Sequence, residues 1–199
     1  MGQPPSPKNL RLILSNRSFW IMVAFFSAGI GASMGVYTML PLYLVAEEGL
    51  ERSFANALVA LSRIAGLGAI YLAGWAADRM GLRRIMGVTF LATGMATILL
   101  GSLHGRWMIA PLFLQPMLVS SSFPAGLAAL SKIAPPQMTN VVVSLSIAIS
   151  YVFAAGVIPA GIGFLGEHGF FALGFILVGL LLLGFVILLK YLKFHQNNE

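Results

Sequence analysis

The chain contains no cysteine, which excludes disulfides and thiolate metal sites and leaves the redox compartment unread. Charge is scarce as well. Only 9% of the 199 residues are Asp, Glu, Lys or Arg, where an ordinary soluble domain carries about a quarter. Histidine occurs three times, at His104, His168 and His195, each beside an expected loop or tail. A solvated imidazole is the simpler reading there, so neither a metal site nor a cofactor is expected.

What remains is apolar. Hydrophobic residues make up 58% of the chain and the mean hydropathy is +0.90, so lipid is the expected solvent. A net charge of +6 would suit nucleic acid only if it formed a basic face on a soluble domain. The twelve Lys and Arg are instead scattered between long apolar runs, a pattern that membrane topology explains.

A helix needs about 20 apolar residues to cross a hydrocarbon core of ~30 Å. Charge-poor intervals supply six such spans. The first covers about Phe19 to Val45, and the second about Phe54 to Ala77, with Arg63 inside it. The third and fourth lie between Arg84 and His104 and between Arg106 and Lys132. The fifth follows the polar connector Pro135-Pro136-Gln137-Met138-Thr139-Asn140, and the sixth covers about Phe170 to Leu189. A membrane barrel would alternate apolar and polar residues, and runs such as Ile176 to Leu183 do not. The expected fold is all-α, with a basic tail over 1–18, a six-helix bundle over 19–190 and a short tail over 191–199.

Six crossings place both termini on one side. Lys8, Arg11, Arg17, Arg79, Arg83, Arg84, Lys132, Lys190 and Lys193 then share that side, while Arg52 and Arg106 lie opposite with Glu47, Glu48, Glu51 and Glu167. The positive-inside rule makes the first side cytoplasmic. The expected location is a plasma membrane of the bacterial inner-membrane kind, with both termini cytoplasmic.

Between spans two and three the chain reads Gly74-Trp75-Ala76-Ala77-Asp78-Arg79-Met80-Gly81-Leu82-Arg83-Arg84. This resembles the signature loop of the major facilitator superfamily, Gly-x-x-x-Asp-Arg-x-Gly-x-Arg-Arg, and it stands where that family carries it. The resemblance covers nearly the whole chain and implies one half of a twelve-helix fold, built as a 3+3 inverted repeat. The basic lead-in and Leu40-Pro41-Leu42-Tyr43-Leu44 resemble the C-terminal half more closely. The resemblance implies a cytoplasmic gate role for Gly74, Asp78, Arg79, Gly81, Arg83 and Arg84. Chemically, Gly74 would let a neighbouring helix approach, and Asp78 could accept from N–H groups at another helix's N-terminus. The segment Gly156-Val157-Ile158-Pro159-Ala160-Gly161 is only a partial echo of the family's antiporter motif, so antiport is not inferred.

The resemblance places the first and fourth helices at the central cavity, which directs attention to Tyr37, Gln115 and Ser121 as solute-binding candidates. Serines in membrane helices often bond their own backbone instead. Arg63 is the most informative residue, because an arginine at mid-membrane costs roughly 2.5 to 3.5 kcal/mol and must face protein or water. Helical spacing sets Gly74 within about 20° and Asp78 within about 60° of it. No acidic residue lies inside a span. Arg63 therefore either attracts an anionic group on a solute, pairs with a carboxylate of a second half, or snorkels outward to Glu47, Glu48 or Glu51.

The expected function is passage of a small solute by alternating access, with the chain as one half. Its expected partners are the bilayer, the solute, and a second six-helix half or a second copy. The alternative is a split or truncated half that only assembles. A third class, an intramembrane enzyme, lacks a convincing nucleophile and base. Glycines at 169, 174, 179 and 184 recur every five residues, a period that matches no helix face.

Overall fold

The computed structural model describes residues 7–133 and 138–192, without the side chains of residues 7–9, Leu72, Ala77 and Asp78. The connector residues Pro135, Pro136 and Gln137 and the tail residues Lys193 and His195 lie outside the described residues. A short helix α1 (Pro7–Leu14) precedes the first span. Span one is α2 (Arg17–Ile30), a π-helical turn (Gly31–Gly35) and α3 (Val36–Ala46) in one continuous run. Span two is α4 (Arg52–Met80), span three α5 (Leu82–Ser102) and span four α6 (Ile109–Ser131), entered by a 3-10 turn (Gly105–Met108). Span five is α7 (Thr139–Glu167) and span six α8 (Phe171–Leu188). All six are long and apolar enough to cross a membrane.

Several ends differ from the expected ones for identifiable reasons. Span one begins at Arg17 because Asn16 caps it, its Oδ1 accepting from the Ser18 N–H at 2.8 Å. Span five takes Met138 as its N-cap, so Thr139 and Asn140 of the expected connector stand inside its first turn. Helix α4 runs on through Asp78 and Arg79 to Met80. The expected loop between spans two and three thus shrinks to Gly81, whose φ of +83° and ψ of 143° lie where essentially only glycine is comfortable.

Span one is the most deeply buried and the others wrap it, with Phe19, Met22, Phe26, Tyr43 and Leu44 almost fully enclosed. The Phe25 and Phe90 rings stack at 4.0 Å, and the Tyr43 hydroxyl donates to the Leu100 carbonyl at 3.3 Å. Spans two and five are the least buried. In lipid, apolar contact between helices gains little over contact with acyl chains, so close backbone approach matters more.

Glycines provide that approach. A Cβ on Gly179 of α8 would lie 2.6 Å from the Gly94 carbonyl of α5, and one on Gly94 would lie 2.9 Å from the Gly179 carbonyl. Gly174 faces Ile162 of α7, Gly169 makes a turn at φ +79°, and Gly184 has open space. Within the five-residue series, then, Gly174 and Gly179 meet different helices, Gly169 makes a turn and Gly184 meets nothing within 4 Å, so the series traces no single face.

On the basic side of the bundle, the Arg17 guanidinium lies 5.0 Å from the Tyr191 ring centre, and Arg83 donates to the Leu192 carbonyl. The start of span one, the turn after span two and the end of span six therefore meet at one face. At the opposite face Glu48 accepts from the Gly105 N–H at 2.8 Å and pairs with His104 Nδ1 at 2.7 Å. His104, expected to be merely solvated, thus helps tie two connectors together.

Candidate functional site

The π turn at Gly31–Gly35 organises the centre of the bundle. Gly31 and Gly35 present no side chain toward Ile158 of α7, which fills the space. At Gly35 a Cβ would come within 2.7 Å of Ile158 Cγ2. The small residues of Gly31-Ala32-Ser33-Met34-Gly35 thus accept span five closely, and the adjacent Gly-Pro segment supplies the residue that enters.

A π turn departs from the regular i→i+4 ladder, and such departures cluster at functional sites. Side chains answer the carbonyls of this turn. Gln115 of α6, almost fully buried, donates from Nε2 to the Ala32 carbonyl at 3.0 Å. Arg63 of α4 donates from Nη2 to the Ser33 carbonyl at 3.1 Å and from Nη1 to the Ser33 hydroxyl at 3.2 Å. Thr38 donates to the Met34 carbonyl at 2.9 Å, with the Gly35 carbonyl at 3.1 Å. The Arg63 guanidinium also lies 3.9 Å from the centre of the Tyr37 ring, a cation–π contact.

Three of the four solute-binding candidates therefore converge. Arg63, Tyr37 and Gln115 come from three spans onto one turn, and Ser33 joins them. Ser121 stands apart: its hydroxyl donates to the Met117 carbonyl of its own helix at 2.7 Å and lies 3.4 Å from the Ala69 carbonyl. Arg63 does not reach outward to the glutamates at the span ends. Glu48 is engaged by His104 and Gly105, while Glu51 caps α4 through Ser53 and Phe54. Among the described residues no carboxylate partners Arg63. Beside it opens a cavity of about 250 Å³ between spans one, two, four and five, with Arg63 and Ser33 among mainly apolar lining residues.

The second candidate region is the turn between α4 and α5. Arg79 stacks over Trp75 at 4.2 Å, Arg83 holds the end of span six, and Arg84 is exposed. The side chain of Asp78 lies outside the described residues. At Gly74 an added Cβ would meet nothing within 4 Å among the described residues.

A six-span helical bundle with a polar cluster on a broken first helix and a basic turn after its second has the build of a solute-carrier half. The sequence model of the Major Facilitator Superfamily matches residues 49–197, which takes in spans two to six. The chain belongs to that superfamily. Among solved structures it is similar to the E. coli fucose:proton symporter, at 16% identity and a TM-score of 0.79. That match covers 94% of this chain and 46% of the symporter chain, so the chain spans about half the length of that structure. At this identity the likeness speaks for the fold. No curated protein matches.

Proposed function

We propose that the chain acts as one six-helix half of a carrier that moves a small solute by alternating access. The solute is held beside the π turn by Arg63, Tyr37 and Gln115, with Ser121 the outlying candidate. The carrying observation is the convergence of those side chains at one turn: Arg63 and Gln115, from spans two and four, bond its carbonyls, and Tyr37 of span one lies against the Arg63 guanidinium. A cation held in the bundle by neutral partners favours a solute with an anionic group. Both termini and the Gly74 to Arg84 turn face the cytoplasm of a bacterial inner membrane, where the clustering of Arg17, Arg83 and the end of span six supports one basic face.

The gate role of Asp78, Arg79, Arg83 and Arg84 rests on the motif, as does that of Gly74 and Gly81. The open space over Gly74 supports a partner half, or a second copy, as the element that covers it. The low burial of spans two and five agrees with such a partner. The same faces would serve a half that only assembles, which is the second reading. The likeness to a fucose:proton symporter assigns neither a sugar nor a proton here, and the carboxylates within spans two and five, Asp78 and Glu167, stand at the span ends and not mid-membrane.

Proteoliposomes separate the two readings. The chain is reconstituted alone and together with a second six-helix half, and solute flux is followed. Flux that falls at least about tenfold in Arg63→Gln supports the carrier reading. A stable assembly without flux in either preparation leaves the assembly role.

A further inference from the structure

We infer that the cavity beside Arg63 takes a monoanion with an apolar body, a carboxylate on a compact aromatic or aliphatic group. This deepens the carrier reading and rests on it for its meaning in transport, but it is a statement about binding.

The cavity lining is of two kinds. Arg63, Ser33 and Tyr151 bring polar groups to it, while Phe26, Phe123, Leu127 and Ile147 are apolar. Arg63 carries five N–H donors, and its two bonds to Ser33 leave others for a ligand. Its planar fork matches a carboxylate, and a charge-assisted bond there is about twice as strong as a neutral one. No carboxylate of the described chain competes for it. The rest of the lining is mostly aromatic and aliphatic, with the Tyr151 hydroxyl its one further polar side chain, so a polyol would bury most of its hydroxyls unbonded. A cationic ligand would face Arg63 without a counter-charge. An inorganic dianion would meet one cation and lose its hydration against the apolar wall. A single negative group with an apolar body satisfies both kinds of lining. The volume of about 250 Å³ lies below that of drug-sized sites, so the body is compact.

The test uses the whole chain in nanodiscs of phosphatidylcholine, with benzoate, its neutral isostere benzamide, acetate and inorganic phosphate as probes. Affinity is read by titration calorimetry and by the shift in thermal midpoint. Benzoate is expected to bind saturably, benzamide at least about tenfold more weakly, and phosphate more weakly still. Arg63→Gln should weaken benzoate about tenfold or more at unchanged helicity and elution volume. Should that variant fail to fold, Phe123→Ala decides in its place, weakening benzoate severalfold while leaving acetate unchanged. No benzoate binding, equal benzamide binding, or benzoate binding indifferent to both substitutions would overturn the inference. Benzoate binding with no flux in any assembly would instead overturn the carrier reading alone. Flux of a neutral solute that benzoate does not inhibit would overturn this inference alone.

Discussion

Arg63 and Ser33 grip each other across the boundary between spans two and one, the guanidinium donating to the hydroxyl at 3.2 Å and to the carbonyl at 3.1 Å. The contact fixes an intramembrane cation without an ion pair and at the same time holds a π turn open. Any rearrangement of span one must therefore break or keep this grip, which couples the candidate solute site to the helix that forms its wall.

Gln115 makes the companion contact from span four, and its loss can be isolated. Gln115→Leu keeps the volume but leaves the buried Ala32 carbonyl without its side-chain donor. The expected cost is about 1 to 3 kcal/mol, seen as a lower thermal midpoint of the purified chain in detergent. An unchanged midpoint would show that the turn does not depend on this donor.

Gly35→Ala should destabilise, although alanine in a helix ordinarily gains about 1 kcal/mol over glycine. The added Cβ would lie 2.7 Å from Ile158 Cγ2, and a β-branched side chain in a helix cannot swing away. A loss of about 1 to 3 kcal/mol is expected. Ile158→Leu removes the offending Cγ2, so the double variant should recover most of that loss. Equal stability of the single and double variants would place the strain elsewhere.

Gly74 and Gly81 belong to one motif but should respond oppositely in the isolated chain. Gly81→Ala forces an L side chain to a φ of +83°, at a cost of about 1 to 3 kcal/mol. Gly74→Ala meets open space within the chain and should be neutral or slightly stabilising. If Gly74→Ala nevertheless reduces co-purification with a second half, the small residue serves that interface. Destabilisation of the isolated chain by Gly74→Ala would contradict the open space seen there.

The cap of span two gives a pH dependence with a definite sign. Hydrogen bonds from the Ser53 hydroxyl and N–H, and then from the Phe54 N–H, hold the Glu51 carboxyl below its ordinary value of 4.5. A carboxyl with a depressed folded pKa stabilises fully above its unfolded pKa and loses that contribution as pH falls through the folded value. The midpoint difference between wild type and Glu51→Ala should therefore be constant near neutrality and shrink as pH falls below about 4.5. A difference that grows toward acid would reverse the assignment.

Much of this architecture was legible in the order of residues. Six charge-poor runs gave six spans, and Arg63 stood out because a charge inside such a run demands a partner. The glycine-rich stretch Gly31 to Gly35 was readable as a place of close packing. The partner could not be read: Ile158 lies more than a hundred residues away, and nothing local marks it as the residue that enters. Asn16 lies within the stretch expected as tail, yet its side chain caps span one. Gly81 belongs to the motif, and its positive φ supplies the physical reason for a glycine there. At Gly74 the described residues leave open space where a small residue would admit a neighbouring helix.

Membrane residence, the number of spans and the position of the Gly74 to Arg84 motif follow from the sequence alone, because hydropathy and charge act on each segment against the same solvent, whatever the segment touches. The π turn, its donors from spans two and four, the cavity beside Arg63 and the mutual contact of Gly94 with Gly179 were decided only by the tertiary structure. Each needs atoms from spans far apart in the chain to meet within a few ångströms, and no local pattern encodes which distant span will arrive.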